Sequence, residues 1–102
     1  MTDTDIATPE PNDFEAVWVF AYYPTNGGRI SDKDDQMIRS IAKAHGAHDV
    51  GSGTLMVPPY ERDMQFRTIR GIAERLAATF RKAGYRAEIR DIPPRNREFI
   101  TS

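Results

Sequence analysis

The chain has 102 residues, 14 Lys plus Arg against 15 Asp plus Glu, and a formal net charge of −1. It contains no cysteine, which excludes disulfides, Cys-ligated zinc, iron–sulfur clusters and thiol catalysis. One small domain is expected at this length, and 39% hydrophobic with 28% charged residues fits a globular chain at the polar end of the normal range.

Residues 1–15 carry Asp3, Asp5, Glu10, Asp13 and Glu15 and no Lys or Arg. Pro9 and Pro11 interrupt regular structure there, so a flexible acidic arm is expected over 1–15. The remainder then has a balance of +4, a segregation that the net charge conceals. The acidic start resembles neither a signal nor a transit peptide. The longest apolar run, Ala16 to Tyr23, is eight residues where a membrane helix needs about 20. A cytoplasmic protein with no membrane partner is the expectation.

Ala16-Val-Trp-Val-Phe-Ala-Tyr-Tyr23, rich in β-branched and aromatic residues and closed by Pro24, predicts a strand. Thr25-Asn-Gly-Gly28 is a turn. Ser31 can cap a helix with Asp34 three residues on as a short capping box, while Asp32 and Asp35 suit the positive end of the helix dipole. Met37, Ile38, Ile41 and Ala42 recur at helical spacing up to Gly46, predicting a helix over about 32–45. A strand over 48–57 follows, with Gly51 and Gly53 marking a bulge or twist. Pro58 to Glu61 turns the chain into a strand over 62–67, where Met64 and Phe66 alternate with Asp63, Gln65 and Arg67. Ile69, Ile72, Ala73, Leu76, Phe80 and Ala83 form one stripe of a helix over about 69–83, ended by Gly84. Tyr85, Ala87 and Ile89 alternate with Arg86, Glu88 and Arg90 in a last strand over 85–92, stopped by Pro93 and Pro94. Residues 95–102 read as a short tail.

The order β-α-β-β-α-β over 16–94 predicts an α+β domain of the ferredoxin-like plait kind. That is a four-stranded antiparallel sheet with two helices on one face and the first and third strands central. The first strand does not alternate. Its smaller residues, Val17, Val19 and Ala21, suit helix packing, which leaves Trp18, Phe20 and Tyr22 on the open face. Three coverings are consistent with such a patch: a second copy packed sheet to sheet, the arm folded back through Ile6 or Phe14, or a foreign partner. Gln65, Arg67, Arg86 and Arg90 lie around the stripe. Arginine outnumbers lysine after Arg62, which suits planar contacts to carboxylates, phosphates or rings. The partner-binding residues expected are therefore Trp18, Phe20, Tyr22, Gln65, Arg67, Arg86 and Arg90.

In element order and strand-one aromatics the chain resembles the RNA-recognition motif, which implies single-stranded nucleic-acid binding by base stacking. The third strand departs from that family. In place of its basic-Gly-aromatic-Gly/Ala-Phe run stands Glu61-Arg62-Asp63-Met64-Gln65-Phe66-Arg67, so no RNA-binding residue is carried over.

Catalytic signals are sparse. His45, His48 and Asp49 are metal-ligand types, but Gly46 breaks the helix between them and no fourth ligand follows by spacing. Gly51-Ser52-Gly53-Thr54 lacks the Lys and the following helix of a phosphate loop. No catalytic residue, cofactor or metal is expected. The reading is a small non-enzymatic protein-binding or regulatory module, adaptor- or inhibitor-like, acting through its sheet face on a protein partner or as a homodimer. The alternatives are a single-stranded nucleic-acid-binding module and a small dimeric cofactor-free enzyme using His45 or His48.

Overall fold

A computed structural model describes residues 11–93. Strands β1 (Ala16–Pro24), β2 (His48–Thr54), β3 (Glu61–Ile69) and β4 (Arg86–Asp91) alternate with helices α1 (Asp32–Ala44) and α2 (Arg70–Lys82). The chain is α+β, with one open four-stranded sheet in the order β2-β3-β1-β4 and every pairing antiparallel. The first and third strands are central, as expected. β3 is longer at both ends than the sequence predicts, because each residue of β1 from Ala16 to Pro24 finds a partner on it. β2 is shorter, ending at Thr54 rather than 57. Leu55 N–H still donates to Glu61 C=O at 2.8 Å, but the two prolines have no N–H to extend the ladder. Tyr60, at φ 53°, closes the turn by donating to Val57 C=O.

The core forms because β1 presents Val17, Val19, Ala21 and Tyr23 to one side, where both helices meet them. Ile38 and Ala42 of α1, Ala73, Leu76, Ala77 and Phe80 of α2, and Met64 and Phe66 of β3 complete one buried cluster. Phe66 and Phe80 pack with ring centroids 5.9 Å apart. Ala87 joins the cluster, with Tyr85 and Ile89 against it, so β4 puts inward the parity that its alternation predicts.

Ser31 caps α1 by accepting from Asp34 N–H at 3.2 Å. The reciprocal half of the expected capping box is replaced. Ser31 N–H donates to the Tyr23 hydroxyl at 3.1 Å, and the Asp34 carboxylate accepts from Tyr85 O–H at 2.8 Å. Gly46 (φ 74°) and Gly84 (φ 103°) follow the two helices in the left-handed conformation that only glycine adopts cheaply. α2 follows β3 directly and has no side-chain cap. Its first N–H is met by the preceding chain, Arg70 N–H donating to Glu15 C=O at 2.8 Å. Of the arm expected over 1–15, residues 1–10 lie outside the described residues. Pro11–Phe14 form a turn of 3₁₀ helix whose Asp13 carbonyl would lie 3.2 Å from a Cβ at Gly71. The tail expected over 95–102 also lies outside the described residues.

One polar cluster interrupts the core. Arg62, 7% exposed, and Asp35, 5% exposed, form a bidentate pair, with Nε to Oδ1 and Nη2 to Oδ2 both at 2.8 Å. The Tyr23 hydroxyl donates to Asp35 Oδ1 at 2.6 Å. Arg62 also donates to Thr54 Oγ1 at 3.0 Å and Ser52 Oγ at 3.3 Å. No buried side-chain polar atom among the described residues lacks a partner, which is what lets an ion pair persist in a dry site. Burial alone would raise the Asp35 carboxyl. Hydrogen bonds from Arg62 and Tyr23 outweigh it and hold the group below its ordinary 3.8. Because the folded value lies under the unfolded one, this stabilisation is complete above about pH 4 and is lost as pH falls through the folded value. Asp35→Asn or Arg62→Ala should therefore cost about 3–5 kcal/mol near neutral pH in urea unfolding. Asp35→Asn should also flatten the acid loss of stability below about pH 4.

Candidate functional site

The even residues of β1 lie on the sheet face away from the helices, and the register sets their neighbours. Trp18 stands between Arg67 of β3 and Arg90 of β4, Phe20 between Gln65 and Glu88, and Tyr22 between Asp63 and Arg86. All seven expected partner-binding residues are thus gathered on one face. β2 adds Gly51 beside Gln65 and Gly53 beside Asp63.

The face is not the uncovered aromatic patch that the sequence alone suggests. Phe20 and Tyr22 are each only 8% exposed. The rings stack on one another, 6.0 Å apart and 17° from parallel, and two guanidinium groups lie over them. Arg86 Cζ is 3.8 Å from the Tyr22 ring centre and Arg90 Cζ is 4.3 Å from that of Phe20. Both distances fit cation–π contact. The arginines are held by carboxylates: Arg86 pairs with Glu61 at 2.6 Å and Glu88 at 2.7 Å, and Arg90 with Glu88 at 2.7 Å. Tyr22 O–H donates to Glu88 at 3.2 Å and accepts from Arg90 at 2.9 Å. The aromatic stripe is therefore roofed by the aliphatic stems and guanidinium planes of its own neighbours, as long cationic side chains do over apolar surface.

Two ends of the face differ. The Tyr22 end is closed by the Arg86–Glu61 bridge. At the other end Trp18 is only half-buried, its ring edge-on to Phe20 at 6.4 Å, and Arg67 is exposed with no ion pair among the described residues. Gln65 donates to Asp63 at 2.9 Å. Across the three strands the outward charges balance, with Glu61, Asp63 and Glu88 against Arg67, Arg86 and Arg90.

The other candidates disperse. Asp49 pairs with Arg39 at 3.0 Å, and the His45 ring lies 2.9 Å from Ile41 C=O and 3.4 Å from Thr79 Oγ1. No group of three or more metal-ligating side chains gathers among the described residues. Clefts of about 270 Å³ flank the start of β2, one lined by His48, Arg67 and Ile72, the other by Arg39, Lys43 and Asp49. The Gly51-Ser52-Gly53-Thr54 run follows a bulge between Asp49 and Gly51, and its two hydroxyls are occupied by Arg62. No helix among the described residues is long and apolar enough to cross a membrane.

The Asp35–Arg62 pair is the feature that residue type alone does not reveal, since an acidic residue in the first turn of α1 is already explained by the helix dipole. Its signal was positional. Asp35, Ile38 and Ala42 share one helical face, and Arg62, Met64 and Phe66 share one strand parity.

Comparison with family models, curated proteins and solved structures finds no match to this chain.

Burial, then the Glu88 charge, raises the Tyr22 phenol above 10.0, while Arg90 and Arg86 act the other way. Hydrogen bonding from Arg90 holds Glu88 below its ordinary value. In a phenolate absorbance titration, Glu88→Gln should lower the Tyr22 value toward 10.0 and Arg90→Ala should raise it further. A pair of shifts in the same direction would contradict the network.

Proposed function

We propose that this protein is a small non-enzymatic binding module of the ferredoxin-like plait kind that recognises a protein partner through its open sheet face. The strand order β2-β3-β1-β4, with β1 and β3 central, supports the plait. The observation that carries the binding reading is half-buried Trp18, flanked by Arg67 and Arg90 on a preassembled floor of Phe20 and Tyr22. Tryptophan, tyrosine and arginine are the residues in which binding energy concentrates at protein interfaces. The ion pairs hold the floor rigid before a partner arrives, which lowers the entropic cost of association. A face with balanced charge favours a protein surface over a polyanion.

A photo-crosslinking amino acid placed at Gln65 in the native cell, with the same group at Arg75 on exposed α2 as control, tests this. A discrete protein adduct from position 65 alone, lost with Trp18→Ala, is expected. An adduct of twice the chain mass would make the partner a second copy. No position-dependent adduct would refute the reading.

A single-stranded nucleic-acid partner is the second reading, favoured by the placement of Trp18 between two arginines. Arg90, however, already engages Glu88, so Arg67 is the one cation of that pair left for a phosphate. Titration with mixed single-stranded oligonucleotides at low salt decides between them. Quenching of Trp18 that weakens steeply with salt would replace the protein reading.

A further inference from the structure

The two edges of the sheet are built differently. β4 carries Arg86, Glu88, Arg90 and Asp91 among its six residues, and Pro93 follows. Charges and proline are the usual protection of an exposed strand edge. β2, at the other edge, carries one charge, Asp49, and prolines follow it only after Val57. Residues 50–59, Val-Gly-Ser-Gly-Thr-Leu-Met-Val-Pro-Pro, contain no charged side chain in a chain that is 28% charged. Val50 (49% exposed), Leu55 (44%), Met56 (63%) and Val57 (58%) all lie on this stretch. Gly51 and Gly53 are matched to β3 on the sheet face, where a Cβ would lie 3.7 Å from Gln65 Oε1 and 3.1 Å from Asp63 Oδ1, and they keep this part of the edge strand slim.

We infer that the outer edge of β2 is a strand-pairing site for a second copy of this chain, joined antiparallel about a two-fold axis near Gly53. Three features select that occupant. An uncharged edge offers nothing to attract a charged foreign strand, whereas neutral meets neutral across a two-fold. In this register Gly53 meets Gly53 and Ser52 meets Thr54, so small residues fill the centre. At the two ends of this ladder Val50 of each copy comes beside Met56 of the other, burying two of the exposed apolar side chains, and no two like charges are directly opposed. The bulge at Val50 confines the ladder to a few residues. So short a ladder makes a weak, concentration-dependent dimer. The result is one eight-stranded sheet with its two Trp18-centred faces side by side, on which a partner could bind twice.

Sedimentation of the full chain over a range of concentrations tests the site. Wild type should show a monomer–dimer equilibrium, and Val50→Lys with Met56→Lys, which sets like charges opposite one another, should weaken it at least tenfold. Val50→Glu with Met56→Lys should restore it, because opposite charges then face across the same two-fold. Both substituted residues are exposed, so circular dichroism should be unchanged. A monomer at every concentration to about 1 mM, or a dimer indifferent to the charge pattern, would overturn the inference. A dimer lost with Trp18→Ala but kept in Val50→Lys with Met56→Lys would also overturn it, and would assign association to the sheet face. A doubled-mass adduct at Gln65 belongs to the sheet face only if it survives Val50→Lys with Met56→Lys, and to the β2 edge if it is lost with them.

Discussion

β1 must be buried on both sides, but the helices cover only one. Its odd residues supply the floor of the core, and its even residues are three large aromatics on the side that has no helix. Exposed apolar area costs roughly 25 cal/mol per Å², so something has to lie over Phe20 and Tyr22. The neighbouring strands supply it. Arg86 and Arg90 lean across from β4, and carboxylates from β3 and β4 fix them in place. The character of the open face follows from that arrangement. It is preassembled and charge-balanced, with its exposed aromatic at the Trp18 end, where Arg67 is unpaired among the described residues.

The polar cluster on the other side plays a comparable part for the helix layer. Asp35 ties α1 to β3 through Arg62, Arg62 reaches Ser52 and Thr54 of β2, and Tyr23 of β1 donates to the same carboxylate. Hydrophobic packing tolerates small rotations of a helix. A bidentate guanidinium–carboxylate pair does not, because its two parallel hydrogen bonds demand one geometry. The cluster thereby fixes the position of α1 over β2 and β3. Its members satisfy one another's hydrogen bonds and hold the helix layer to the sheet.

Much of this is legible in the sequence. The alternation of Tyr85, Ala87 and Ile89 with Arg86, Glu88 and Arg90 set which side of β4 faces inward. The small, branched set of β1 was matched correctly to the helices, so the seven residues expected on the open face do lie together. What failed was the inference from residue type to exposure. Phe20 and Tyr22 looked uncovered because a linear pattern gives the side a residue faces but not the direction in which a neighbouring long side chain leans.

Local periodicity, glycine and proline positions and charge placement were enough for the element order, the helix ends at Gly46 and Gly84 and the parity of β1, β3 and β4, since these depend on contacts a few residues apart. Which partners meet depended on strand registers that bring together residues as far apart as Tyr22 and Glu88, or Asp35 and Arg62. Register is a property of the assembled sheet. It turned a row of arginines that reads as a basic surface into the neutral roof of an aromatic layer, while the strand order left the uncharged run after Asp49 at an edge of the sheet.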